Sequence, residues 1–350
     1  MATTYNLAKG FFKLAHSRVL NKRFPLNVFF VVTNKCNLDC YYCYGDYFHR
    51  KDFREFTKSE IFGILDTLKK MGTVFLQLQG GEPLLRNDIG DIIDYSIKLG
   101  FNTDMISNGL LIKNKIEHIK KLASICISID GRKELNDYNR GKGTFEKTMA
   151  GIDEAVKYIP VRINSVVTAD TEQEDIDFLV NMAKDKGILI NFCPSFQFKP
   201  LIERQNRDHL KLSEEKIKNL LESIAGYKNS GYPIQFTAGC HDISKNWPFT
   251  LEKRMAKKDE LPSAYKYHKC HHGDYVVFID SDGQLYPCCN FWNDYKRLNV
   301  HEIGFEKAWE GLTREGCEAC YVYSYIDRNG LMNFNFDVMW NYFKQSLKKS

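Results

Sequence analysis

Eleven cysteines fall in a chain of 350 residues, and seven of them stand in two groups. Cys36, Cys40 and Cys43, in "TNKCNLDCYYCYGDY", are separated by three and then two residues, and the next cysteine is Cys126. A tetrahedral metal site or a four-iron cube takes four such ligands. Three thiolates on a cube leave one iron open to a further ligand; the rival reading is zinc completed by His49. The second group is Cys270, Cys288, Cys317 and Cys320. The span "CHHGDYVVFIDSDGQLYPC" reads as a hairpin around Asp282 and Gly283, which returns Cys288 to the neighbourhood of Cys270. The Cys317-x2-Cys320 pair then completes four ligands, a set that suits zinc or an iron–sulfur cube.

The elements that must position these thiols alternate two periods from residue 27 to 194. Strand patterns are "NVFFVVT" (27–33), "TVFLQLQ" (73–79), "FNTDMIS" (101–107), "SICISID" (124–130), "VRINSVVT" (161–168) and "ILINFCP" (188–194). Helical patterns lie between them, the first capped by Thr57, and several close on Lys and then Gly. Strands alternating with helices imply an α/β fold with a parallel sheet curved or closed into a barrel, with its site at the C-terminal strand ends. Cys36, Cys40 and Cys43 directly follow the first strand and so belong to a loop at that mouth. We divide the chain into an amphipathic helix (1–25), the partial barrel (26–195), a polar connector expected to shape or cover the pocket (196–265) and a C-terminal module carrying the second thiol set (266–350).

Composition excludes several classes. At 43% hydrophobic and 27% charged residues the chain is an ordinary globular one, neither fibrous nor disordered. No apolar run reaches the ~18–20 residues that span a bilayer. The N-terminal "NLAKGFFKLAHSRVLNKR" breaks its apolar residues with charges and lacks a signal-peptide core. A cytoplasmic protein is expected, where clustered thiols serve metal or chemistry more often than disulfides. The net charge of +5 and the lack of a basic, aromatic-interleaved stripe give no reason to expect a nucleic-acid partner.

"CNLDCYYC" resembles the Cys-x3-Cys-x-aromatic-Cys signature of the radical S-adenosylmethionine (SAM) superfamily, placed after strand one of a partial (β/α)6 barrel. The resemblance implies a 4Fe–4S cluster on Cys36, Cys40 and Cys43 whose open iron is chelated by SAM. It extends to "GGEP" (Gly80, Gly81, Glu82, Pro83), with Glu82 accepting from the SAM ammonium group, and to polar contacts at Asn108, Ser128 and Asp130. It also gives Arg140 to the SAM carboxylate, and Tyr42 and Val166 to the adenine. The C-terminal module resembles the twitch form of the SPASM extension, a small hairpin-and-helix domain. By that resemblance Cys270, Cys288, Cys317 and Cys320 hold one auxiliary 4Fe–4S cluster.

The resemblance implies an enzyme that abstracts hydrogen from an unactivated C–H bond and draws its electron from an external donor such as flavodoxin or ferredoxin. The expected substrate is a small metabolite, sugar- or aminocyclitol-like, with oxidation or epimerisation as the outcome. Cys126, Cys193 and Cys289 are the candidate hydrogen donors to a substrate radical, against the plainer reading of each as a small buried hydrophobe. Maturation of a ribosomal peptide is an alternative; only 35 residues precede Cys36, which argues against a built-in peptide-recognition domain. A third reading lays "FFKLAHSRVLNKRF" on an anionic membrane beside a lipid substrate. The favoured place for that helix is instead the barrel floor.

Overall fold

The computed structural model describes residues 4–47, 49, 54–195, 213–291 and 295–347. Helix α1 (Thr4–Val19) precedes six parallel strands that follow one another across the sheet in chain order: β1 (Asn27–Thr33), β2 (Phe75–Gly80), β3 (Asn102–Ser107), β4 (Ser124–Ser128), β5 (Val161–Val167) and β6 (Leu189–Pro194). The connecting helices are α2 (Lys58–Met71), α3 (Ile89–Lys98), α4 (Ile112–Ile119), α5 (Lys133–Arg140), α6 (Thr144–Ala155) and α7 (Gln173–Asp185). Local chemistry sets their ends. Thr57 caps α2 in a reciprocal capping box with Glu60, and Gly72 ends it at φ 97°. Helix α5 is absent from the sequence reading.

Strand alternation sorts the side chains into two populations. On β1, Val28, Phe30 and Val32 pack outward in one core with Ile61, Leu65 and Leu68 of α2. The intervening positions face a lumen, and many of them are polar: Gln77 and Gln79 of β2, Asp104 of β3, Arg162 and Asn164 of β5, Asn191 of β6. A parallel strand covered on both faces is normally apolar throughout. The polar alternation here marks a hollow interior.

The lumen is closed below by α1. Gly10 lies so close to the Phe75 ring that a Cβ would come within 2.8 Å, and Asn6 Nδ2 donates to Asn102 Oδ1 at 3.1 Å, beside the first residues of β2 and β3. The helix stands at the barrel floor, with Phe12 and Val19 turned to solvent. Among the described residues no helix is long and apolar enough to cross a membrane.

The C-terminal third does not stand apart as the sequence division supposes. After α8 (Glu214–Asn229), α9 (Ala238–Lys245) and β7 (Met255–Lys257), strand β8 (Val276–Ile279) pairs parallel with β1, from Asn27–Val276 to Phe30–Ile279. Strand β9 (Leu285–Tyr286) returns antiparallel to β8, so the barrel sheet has eight strands. The short helices α10 (Val300–Ile303) and α11 (Phe305–Gly311) follow, and then β10 (Cys317–Cys320) pairs with β7, which belongs to the supposed connector. Helices α12 (Tyr323–Met332) and α13 (Phe336–Leu347) contribute Tyr325, Arg328 and Tyr342 to the lumen wall. The physical reason is that a six-stranded open barrel leaves β1 with an unpaired edge and an uncovered side, and C-terminal elements satisfy both. Residues 196–212 of the expected connector lie outside the described residues.

Candidate active site

One cavity of about 490 Å³ runs from α1 at the floor to the cysteine loop at the mouth. Cys36, Cys40 and Cys43 all line it, together with Tyr42, Gly80, Gly81, Asn108, Ser128, Arg140 and Val166. Residues spread over 130 positions of chain are thus brought to one wall, because most sit at or beyond the C-terminal end of a neighbouring parallel strand, while α5 returns Arg140 to the same end. Successive backbone turns gather the cysteine loop, Cys43 N donating to Cys40 O at 3.0 Å and Asp46 N to Cys43 O at 3.2 Å.

The glycine pair of "GGEP" is required by a close approach. A Cβ on Gly80 would lie 2.3 Å from Thr33 O, and one on Gly81 2.3 Å from Lys35 O. Gly81 N and Glu82 N donate to those same carbonyls at 2.9 and 2.8 Å. The segment is therefore stitched to the strand end that leads into Cys36.

Glu82 and Asp130, which the resemblance gave to SAM, are fully buried behind the cavity wall. Glu82 is fully buried and accepts from Leu84 N (3.0 Å), Ser107 Oγ (2.9 Å) and Asn108 N (2.7 Å), tying the "GGEP" turn to the end of β3. Burial pushes its carboxyl up to about 7, against the pull of those donors. Pro83 begins the single 3-10 turn that Glu82 caps, away from the lumen. Asp130 is likewise buried and accepts from Arg140 Nε and Nη2, Tyr42 Oη, Asn139 Nδ2 and Val166 N. Both carboxylates hold other site residues in place. The cause is geometric, since both carboxylates fold back under the wall whose backbone and side chains they anchor.

The thiols have the chemistry a cube needs. Burial pushes Cys36 and Cys40 up to about 12, the Arg140 cation partly offsetting this at Cys40, and burial also raises Cys43. Three thiolates in such a pocket need positive charge beside them, which iron supplies. His49 is exposed and pairs with Asp39 at 3.1 Å, which gives it a partner other than a zinc ion.

Cys270, Cys288, Cys317 and Cys320 are all buried, the last two at the ends of β10. Cys317 donates to Cys270, which lowers Cys270 and raises Cys317. Cys288 and Cys320 are raised, first by burial and then by the neighbouring thiols. Cys270 N donates to Glu318 O at 2.9 Å, so the hairpin start and the Cys-x2-Cys strand are directly joined. Among the described residues no three His, Cys, Asp or Glu side chains close on a single ion. A cube takes one thiolate at each corner and spreads its ligands wider than one ion does.

Cys126, Cys193 and Cys289 all line the cavity. Burial pushes Cys193 up to about 12 and Cys289 up to about 11, and Cys289 Sγ stands 2.6 Å from Tyr325 Oη. The sequence reading missed the polar lumen. Arg162 Nη2 pairs with Asp104 Oδ2 at 2.5 Å, Gln77 Nε2 donates to the same oxygen at 3.1 Å, and Asn191 Nδ2 donates to Asn164 Oδ1 at 2.6 Å. The signal was present as polar residues at every second position of "FLQLQ", "NTD", "VRIN" and "LINFC".

A parallel partial barrel with a three-thiol loop beyond β1 and a second buried thiol set is an arrangement suited to holding two iron–sulfur clusters. Residues 30–183 match the family model of the radical SAM superfamily. Residues 30–183 thus form a radical SAM domain, and the relatives support a radical SAM enzyme with a C-terminal auxiliary-cluster module, whose cofactors are SAM and 4Fe–4S clusters. It is 27% identical over 300 residues to an AdoMet-dependent heme synthase of Methanosarcina barkeri, covering 82% of each chain. It is 32% identical over 202 residues to a GTP 3′,8-cyclase of Psychromonas ingrahamii, covering 55% of this chain and 59% of that one. Streptococcus suis SuiB bound to S-adenosylmethionine shares the fold, with TM-score 0.66 and 21% identity over 84% of this chain and 68% of that one.

Proposed function

We propose that this enzyme removes hydrogen from an unactivated C–H bond of a small polar metabolite, of the sugar or aminocyclitol kind, and releases an oxidised product. In this reading Cys36, Cys40 and Cys43 hold a 4Fe–4S cluster with one corner open to SAM. Arg140 directs its remaining guanidinium edge to the SAM carboxylate, Tyr42 and Val166 flank the adenine, and the Gly80–Gly81 backbone admits the ligand. Cluster and SAM together supply a 5′-deoxyadenosyl radical, the agent that takes the hydrogen atom. Cys270, Cys288, Cys317 and Cys320 hold the auxiliary cluster, an electron acceptor one wall away. A flavodoxin- or ferredoxin-like protein would be the external electron donor.

The observation that carries this reading is a single cavity with the three-thiol loop at its mouth and Cys193, Cys289 and Tyr325, next to the auxiliary thiols, on its wall. Its wall is mainly apolar, but Gln77, Asp104, Arg162, Asn164 and Asn191 set into it suit a metabolite with hydrogen-bonding groups. A second reading is epimerisation, favoured by the Cys289–Tyr325 contact of 2.6 Å inside the cavity, since a thiol there can return a hydrogen atom. Turnover in deuterated water separates the two. An unlabelled product two hydrogens lighter supports oxidation. Solvent deuterium at the attacked carbon, lost in Cys289→Ala, would refute it. No 5′-deoxyadenosine from reduced, reconstituted enzyme and SAM would end both readings.

A further inference from the structure

Arg328 on α12 lines the same cavity as the thiol loop. Its central carbon lies 4.7 Å from the Phe29 ring centroid and 5.9 Å from that of Tyr325, so aromatic faces hold the side chain in position. Yet its Nη1 is buried and has no hydrogen-bond partner, and among the described residues no carboxylate is paired with the group. The acid that acts on it electrostatically, Asp104, is engaged by Arg162 at 2.5 Å and by Gln77 at 3.1 Å. Two further polar atoms in the same cavity wall, Gln79 Nε2 and Asn191 Oδ1, are also buried without partners. Arg328 as a whole is half-buried, but a guanidinium nitrogen shut off from water and left unpaired costs stability, and a folded chain tolerates it where a ligand completes the pair. The forked donor matches a planar or tetrahedral oxyanion.

We propose that Arg328 is the anion anchor of the substrate site, and that the substrate carries an oxyanion, a carboxylate or a phosphate. Gln79 and Asn191 then offer a donor and an acceptor to its hydrogen-bonding groups. This deepens the reading of the cavity as a substrate chamber and rests on it. The anchor fixes which end of the substrate points to the floor, and so which carbon is presented at the mouth.

The test uses the full chain, reconstituted anaerobically and saturated with SAM, with thermal unfolding as readout. Sodium phosphate and sodium acetate are titrated separately against sodium chloride at matched ionic strength. In the wild type, Tm should rise saturably with one of them, and which one distinguishes a phosphate from a carboxylate substrate. Arg328→Met should lose that shift and, without the anions, unfold at or above the wild-type Tm, because an unpaired buried charge is gone. Arg328→Lys should keep the shift in weakened form. No saturable shift in the wild type, or one retained in Arg328→Met, overturns the proposal. So does a lower Tm of Arg328→Met accompanied by loss of half the iron, which would make Arg328 a support of the auxiliary cluster. The titration needs no turnover, so its outcome is independent of whether SAM is cleaved.

Discussion

Arg140 and Asp130 form a bidentate pair beneath the thiol loop, with Nη2 to Oδ1 at 2.8 Å and Nε to Oδ2 at 2.9 Å, and both side chains are buried. Asp130 also accepts from Tyr42 Oη at 2.5 Å, and the guanidinium lies 5.6 Å from the Tyr42 ring centroid. One carboxylate therefore sets the orientation of both side chains assigned to SAM. Removing it strands a buried cation, a loss of about 3–5 kcal/mol. We expect Asp130→Ala to lower the unfolding midpoint and to weaken SAM binding about ten- to a hundredfold while iron is retained. Equilibrium binding of SAM with parallel iron analysis checks this; full affinity in the variant would place SAM elsewhere.

Two cubes predict about eight irons and eight sulfides per chain after anaerobic reconstitution. Replacing Cys36, Cys40 and Cys43 together by Ala should halve the iron and abolish SAM cleavage. Replacing Cys317 and Cys320 should remove the other half and leave the SAM-binding half in place. Zinc in place of iron, with no charge-transfer absorbance, is the outcome that sinks the assignment.

Gly81→Ala should be far more damaging than a surface glycine change. The new Cβ would stand 2.3 Å from Lys35 O and 2.9 Å from the Cys36 Cβ, so the cysteine loop must move. We expect SAM affinity and cluster retention both to fall. Gly63→Ala, on α2 with nothing within 4 Å of the added carbon, serves as the control and should stabilise by about 0.5–1 kcal/mol. Unfolding midpoints and iron content of the two variants decide it.

His241 gives a pH dependence with a definite sign. It is buried against Tyr323, neither ring nitrogen has a hydrogen-bond partner, and burial holds its pKa down at about 3, from the usual 6.5. The unfolded chain takes up this proton below pH 6.5 and the folded one does not, so its contribution is full above that value and falls on acidification. Each pH unit below it should remove about 1.4 kcal/mol through this group. His241→Phe should flatten the stability difference between pH 6.5 and pH 5, read from denaturant unfolding of the two proteins side by side. Parallel slopes for wild type and variant would show that the ring is protonated in the fold.

Much of the barrel was legible because its signals are local. "NVFFVVT" forms β1 with the expected bounds, Thr57 caps α2 as expected, and the glycines after "LKKM" and "AKDK" end or follow their helices. The thiol spacings are equally local, and so are "GGEP" and the positions of Ser128 and Val166 near strand ends. Each is decided by a few neighbouring residues: β-branched runs, a cap, a turn.

The roles of Glu82 and Asp130 were not legible in this way. Both sit where ligand contacts belong, but their partners (Ser107 and Asn108 for one, Arg140, Tyr42 and Val166 for the other) come from different strands. Which of several buried acceptors faces a cavity depends on packing across the sheet, and sequence spacing carries no measure of that.

By itself the sequence determined the strand order's raw material, the two thiol sets and the chemistry they serve. Tertiary structure alone decided that β8 completes the sheet on β1, that β7 joins β10 beside the second thiols, and that α12 brings Arg328 into the lumen. The reason is physical. An open strand edge and an open barrel side can be satisfied by any segment of suitable pattern, and the choice among them is made by long-range register and burial, not by neighbours along the chain.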